Sequence, residues 1–316
     1  MHPERHAFPA LAALVVALGG PALAAPIAVT IDDLPLQAVR DRGTADIAAI
    51  NAGLLAALRE HDIEAVGFVN EVKLEVDGAV DPGRVDVLGD WLEAGHELGN
   101  HSYSHPDLHA MPVDDYLADI DRGDALIRPL AERHESPVRY FRHPFLRTGR
   151  SIEVRNEVHD WLAANGYLVA PVTIDNSEWI YSAAYDRAHR SGEEALKQRL
   201  GESYIDYMAD KTAYFVANGR HLFGRDIAQV LLIHVNRLNA DWFGALAARL
   251  KQEGHSFVSL ETALADPAYE SRDLWTGPGG ISWLHRWLLA VGDRSQFADE
   301  PKTPPWVLEA AGLDAE

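Results

Sequence analysis

Short apolar, β-branched runs alternate with helix-periodic stretches along most of the sequence, and that order leaves few folds open. Residues 27–31 read as a strand. Residues 44–61 carry Ile47, Ile50, Leu54, Leu55 and Leu58 at steps of three and four and read as a helix. The unit then repeats. Strands are expected at 65–69, at 97–100, ending at Tyr140 and Phe141, and at 168–174, 230–233 and 257–260. Helices are expected at 85–94, at 114–132 as far as Pro129, at 152–164, at 193–218 with a break near Glu202, and at 242–253. Six or seven such units predict an α/β fold on a parallel sheet, closed as a barrel or open and doubly wound.

Residues 1–25 fall outside this pattern. Arg5 in a polar start, an apolar run over 8–18 and Ala22-Leu23-Ala24 have the layout of a secretory signal peptide. The run is shorter than the roughly 20 residues of a membrane span, so a periplasmic or secreted protein is expected. The 28 Lys and Arg face 48 Asp and Glu, a net charge of -20 without a basic block, which argues against nucleic acid as a partner. No protein partner is evident. There is no cysteine, so disulfides, thiolate metal sites and cysteine nucleophiles are excluded. Any metal must be held by His, Asp or Glu.

The chemistry-bearing residues collect at one end of the expected strands. Asp32 and Asp33 follow the first, His101 and His105 the third, Arg142 follows Phe141, Asp175 follows Ile174 and His234 follows Ile233. Carboxyl ends of parallel strands are where such folds bind ligands and catalyse. Spacing of four puts His101 and His105 on one side of a helical turn, and with Asp33 they make two imidazoles and one carboxylate, a donor set suited to catalytic zinc. A surface histidine pair and simple turn chemistry at Asp32-Asp33 are the plain alternatives. If one carboxylate binds metal, its neighbour becomes a base beside a Lewis acid, and Arg142 can hold that base ionised. His234 is the candidate proton donor, with Asp175 or Glu178 as the carboxylate that raises its pKa. Most other histidines, among them His96, His159, His255 and His285, read as surface or helix-end residues.

Taken together, Thr30-Ile31-Asp32-Asp33-Leu34-Pro35, Gly99-Asn100-His101-Ser102-Tyr103-Ser104-His105-Pro106, Phe141-Arg142-His143-Pro144-Phe145, Asp175-Asn176-Ser177-Glu178-Trp179 and Leu231-Leu232-Ile233-His234 resemble the five ordered motifs of polysaccharide deacetylases, carbohydrate esterase family four. The resemblance implies a distorted (β/α) barrel of about seven strands and metal-dependent removal of acetyl groups from N-acetylglucosamine polymers or acetylated xylan. By position, it makes Asp32 the base, Asp33, His101 and His105 ligands of one divalent metal (zinc, with cobalt or nickel possible), Arg142 the residue orienting the base and His234 the acid. It also assigns the backbone N–H of Phe145 to the oxyanion, and Trp179 and Leu232 to the groove around the acetyl methyl. Leu34 replaces the family's usual glycine and is expected to narrow the groove; His143, Phe145, Val172 and Glu178 are further departures. The expected organisation is a barrel over 26–265 with a helical insertion at about 180–225, and a C-terminal extension over 266–316 packing on the barrel, where Trp283 and Trp287 read as packing residues rather than sugar platforms. A metal-dependent amidohydrolase acting on a small non-sugar amide and a non-catalytic glycan-binding protein are the other functions this pattern allows.

Overall fold

Buried, β-branched sequence makes Pro26–Leu34 the central strand, β1, and the rest of the main sheet is built around it. The computed structural model describes residues 25–316; apart from Ala25, the expected signal peptide lies outside the described residues. The chain continues through α1 (Thr44–Glu60), β2 (Ala65–Val69), a small hairpin of β3 (Glu75–Val76) and β4 (Ala79–Val80), α2 (Pro82–Glu93), β5 (Glu97–Asn100), α3 (Val113–Arg122) and α4 (Ile127–Arg133). Next come β6 (Tyr140–Phe141), α5 (Ile152–Ala164), β7 (Leu168–Val169), α6 (Glu178–Ser191), α7 (Glu194–Phe223), β8 (Gln229–His234), α8 (Arg237–Gln252), β9 (Ser256–Val258), α9 (Leu260–Leu264), α10 (Trp283–Ala290) and α11 (Pro305–Ala311).

The order across the sheet is β7-β6-β5-β2-β1-β8, with β9 beside the start of β1, and every pairing is parallel. Beyond β7 the chain crosses to β8, where Ile174 bridges Leu231 and the Thr173 and Ile174 N–H groups reach the Val230 carbonyl at 3.0 Å. The sheet thus curls round into the expected distorted (β/α) barrel. Its helices cover the outside: α1 buries Ile47, Ile50, Leu54 and Leu58. Buried Asn51 ties that helix to the loop after β1 through the Pro35 carbonyl, 2.8 Å, and accepts the Trp91 indole N–H of α2, also at 2.8 Å. No helix among the described residues is long and apolar enough to cross a membrane.

Several elements differ from expectation for local reasons. The stretch 168–174 is strand only at Leu168–Val169, because Pro171 cannot donate to a ladder. The helix expected over 114–132 is two helices parted at Gly123, where a Cβ would meet the backbone of Ser102 and Tyr103 at 2.8 Å. Pro129 does not end the second, since it sits in the first turn, where a missing N–H is tolerated. Leu260 opens α9 rather than closing a strand, with the Ser259 side chain as its cap. Histidines 96, 255 and 285 are buried, not superficial.

The break expected near Glu202 is absent: α7 runs unbroken for 30 residues. Gly201 is there for contact, since a Cβ would lie 1.9 Å from the Trp242 indole of α8. Gly201→Ala therefore sets a helix-propensity gain of about 1 kcal/mol against overpacking of about 1–3 kcal/mol. The expected outcome is a lower melting temperature in thermal denaturation; an unchanged or higher one would show that Trp242 moves aside freely.

Candidate active site

The mouth of the barrel is shaped first by β1. Its register against β2 slips between Ile31 and Leu34, and Asp33 takes a left-handed backbone, φ 73°. Side chains of successive strand residues normally point to opposite faces. Here the irregularity lets Asp32 and Asp33 open into one cavity of about 450 Å³. Leu34 does not narrow that cavity: it is fully buried in the core, where a Cβ on Gly67 would lie 2.6 Å from it.

His101 and His105 come together without a helical turn. Ser102 and His105 both have positive φ, 66° and 58°, in a loop tied by its own side chains. Asn100 Oδ1 accepts the Ser102 N–H at 2.6 Å, Ser102 Oγ accepts the His105 N–H at 3.1 Å, and Asp119 accepts the Ser104 N–H at 2.9 Å. His101 Nδ1 lies 2.8 Å from the Arg142 carbonyl, which can only accept, so Nδ1 carries the proton and Nε2 is left free toward the cavity. His101 Nε2 is 4.0 Å and His105 Nε2 3.9 Å from Asp33 Oδ1. One ligand atom from each of the three lies within 4.8 Å of the others.

These donors fit a divalent cation. Asp33 Oδ1 is buried without a hydrogen-bond partner, and the Lys73 ammonium forms an ion pair with it at 2.9 Å. Burial raises the Asp33 pKa, but Lys73, His234, His105 and His101 outweigh it and hold the carboxylate well below its usual range. Burial and the neighbouring His105 push the His101 pKa down, leaving a neutral imidazole, the form that ligates metal.

Asp32 is the neighbouring carboxylate. Burial raises its pKa to about 6, against the pull of Arg142 and His234. The fully buried Arg142 guanidinium stands 3.4 Å from Asp32 Oδ1 and 3.5 Å from Oδ2. It also donates to Thr30 Oγ1 at 2.9 Å, which in turn donates to the Leu231 carbonyl at 2.7 Å, so the cation is fixed to both β1 and β8.

His234 ends β8 in register with Asp32. Its Nδ1–H donates to Glu178 Oε2 at 2.8 Å. Glu178, wholly buried at the start of α6, accepts from Asn236 and, at 2.7 Å, from Asn239, whose own Oδ1 takes the Tyr204 hydroxyl at 2.6 Å. Burial alone would lower the His234 pKa; the bond and charge of Glu178, with Asp33 and Asp32, raise it to about 9. Of the two acids expected beside His234, the structure brings Glu178 to the ring. Asp175 lies on the cavity wall and accepts the Asn176 N–H at 2.9 Å instead, with burial raising its pKa to about 6.

Phe145, Trp179 and Leu232 line the same cavity. Phe145 is 52% exposed, and its ring sits edge-on to His105 at 4.5 Å between centroids. Sequence reasoning missed Lys73, Gln37 and Gly280. Lys73 arrives from a single 3-10 turn after β2, and Gly280 from a glycine-rich stretch that carried no periodic signal.

Residues 20–161 match the family model described as polysaccharide deacetylase. Over those residues the chain is similar to the polysaccharide deacetylase family. Among curated proteins it is 26% identical over 163 residues to a peptidoglycan-N-acetylglucosamine deacetylase of Bacillus cereus, a match covering 52% of this chain and 50% of that protein. It is also 22% identical over 235 residues to an uncharacterized 30.6 kDa protein of Geobacillus stearothermophilus, covering 70% and 68%. The chain thus spans half the length of the curated deacetylase. Of solved structures, a mutant of a carbohydrate esterase family 4 pseudoenzyme with restored enzymatic activity superposes with a TM-score of 0.51 at 16% identity, over 76% of this chain and 68% of that one. The wild-type pseudoenzyme, from Bacillus anthracis, superposes with a TM-score of 0.50 at 15% identity, over 76% and 66%. Likeness at this identity establishes the shared barrel. The deacetylase match ends in α5, so Asp175, Glu178, Trp179, Leu232 and His234 enter the cavity from beyond it.

Proposed function

We propose that this protein is a metal-dependent hydrolase that removes acetyl groups from an acetylated glycan, with N-acetylglucosamine polymers such as chitooligosaccharide or peptidoglycan as the substrate class. The observation that carries the reading is a buried carboxylate, Asp32, and a partly buried imidazole, His234, paired across the β1–β8 register beside three side chains that could hold a cation. Asp33, His101 and His105 would hold the ion, zinc or alternatively cobalt or nickel. When bound, such an ion polarises a carbonyl and makes water more acidic.

The chain's own residues supply the rest. Asp32, kept ionised by Arg142, accepts a proton from the attacking water. The Phe145 N–H receives the developing charge on the carbonyl oxygen. His234, kept protonated by Glu178, donates to the departing nitrogen as the C–N bond breaks, leaving acetate and a free amine. Trp179 and Leu232 flank the acetyl methyl. The similarity to a peptidoglycan-N-acetylglucosamine deacetylase supports an N-acetyl substrate. Export to the periplasm or medium, where such polymers are met, agrees with the signal-like residues 1–25.

The test is acetate release from chitooligosaccharides and peptidoglycan fragments. Release is expected with added zinc or cobalt, loss with chelator, and recovery on re-addition. A metal-loaded protein that binds these glycans without releasing acetate would be a binding module. One that cleaves only small non-sugar amides would refute the glycan assignment.

A further inference from the structure

We infer that the C-terminal segment 273–286 is a built part of the catalytic site: Gly280 and Arg286 hold the Pro144–Leu146 turn in the conformation that presents Phe145 to the cation triad. The inference rests on the proposed function, in which Phe145 receives the carbonyl oxygen. Phe145 and Leu146 are consecutive non-glycine residues with left-handed backbone, φ 55° and 53°. L-residues rarely adopt that conformation unless the surroundings impose it.

The surroundings here come from the far end of the chain. Gly280 lines the catalytic cavity and lies so close to the turn that a Cβ on it would fall 1.8 Å from the Phe145 carbonyl oxygen and 2.8 Å from Leu146 Cβ. Arg286, fully buried in α10, donates to the Leu146 carbonyl and, at 3.0 Å, to Thr148 Oγ1. The same guanidinium is held by Asp273 at 2.8 Å and the Ile281 carbonyl at 3.0 Å, and it lies 3.8 Å over the Trp283 ring. The segment is itself fastened to the barrel. Ser282 Oγ donates to the Thr173 carbonyl at 2.7 Å, the Trp283 N–H to the Val172 carbonyl at 2.8 Å, and Asp273 pairs with Arg155 of α5 at 3.1 Å. The turn is therefore gripped between the barrel wall and a segment outside the residues that match the deacetylase family. Phe145 also packs edge-on against His105, so the turn borders the three candidate cation donors. Gly280 and Arg286 touch no reacting atom in this account; they are positioning residues.

Gly280→Ala forces the Phe145 carbonyl away. With the metal-loaded full chain, kcat for acetate release should fall about 10-fold or more, toward the 10²–10³-fold effect of losing one oxyanion donor. KM and zinc affinity should stay within about twofold, the split expected when only transition-state contacts are lost. Hydrogen exchange gives a readout independent of activity: amides at 143–148 should exchange faster in the variant, while those at 27–31 remain as in the wild type. Unchanged exchange at 143–148 overturns the inference, as does an unchanged kcat in an active enzyme. A wild type that releases no acetate refutes the proposed function instead, and the exchange comparison still decides the positioning claim. If Gly280→Ala does not fold, Arg286→Lys, which keeps the charge but not the guanidinium fork, is judged by the same measurements.

Discussion

Asp32→Asn should lower acetate release by about 10²–10⁴-fold, the usual contribution of a positioned general base, while leaving binding of one divalent ion nearly unchanged. The amide has the shape of the carboxylate but cannot take a proton. Binding should survive because the three proposed cation donors are Asp33, His101 and His105. The substitution also strips the buried Arg142 of its counter-charge. Breaking a buried pair costs about 3–5 kcal/mol, so a lower melting temperature is expected alongside lost activity. Calorimetric titration with zinc separates the two effects. Asp32→Asn protein that is folded and binds zinc yet releases acetate within about 10-fold of wild type would remove Asp32 from the role of base. Asp33→Asn should fail differently, through lost ion affinity.

The second large effect belongs to Glu178. Glu178→Ala leaves the His234, Asn236 and Asn239 donors without their shared acceptor in a fully buried place, and a loss of about 3–5 kcal/mol in unfolding free energy is expected. The milder Glu178→Gln isolates the electrostatic role. A proton donor works below its pKa, so activity should fall as pH rises through about 9, and it should fall at the acid end as Asp32 protonates near 6. Removing the Glu178 charge draws the basic limb of kcat/KM to lower pH by about one unit or more. The acid limb should hardly move. Stability follows the same sign. A histidine whose folded pKa is raised adds stability that is fully present below its unfolded value, near 6.5, and lost as pH climbs through about 9. Denaturation midpoints compared across that window should converge for wild type and variant toward the alkaline end. A basic limb that stays in place in Glu178→Gln would mean that another group donates the proton.

How far the sequence could be read depended on whether a feature was local. The main barrel strands announce themselves by short apolar runs, and the polar residues near their carboxyl ends fall in register because Asp32 and His234 pair across adjacent parallel strands. Spacing could not tell the His101–His105 loop from a helical turn, since a tight loop stapled by Asn100, Ser102 and Asp119 also brings residues four apart together. The break expected near Glu202 does not occur, and Gly201 beside it is a contact point for Trp242. The buried histidines were misjudged because their partners are distant: the Ala25 carbonyl for His255, the Ala65 N–H for His96 and the Tyr214 hydroxyl for His285. Lys73 reaches Asp33, and Gly280 the cavity, through tertiary packing alone, which no periodicity records.

The pairing of β1 with β8 has a consequence for the order in which activity is acquired. The three candidate cation donors, Asp32 and Arg142 are all synthesised by residue 142, but the proposed proton donor His234 and its partner Glu178 come later in the chain. A chain synthesised only that far holds the candidate cation donors but lacks the His234–Glu178 pair. Joining the two strands means closing a loop of some two hundred residues, and non-local closure of that kind characterises slow, late folding steps. Ion binding and deacetylation should therefore emerge at different times during refolding, with hydrolysis tracking the last phase.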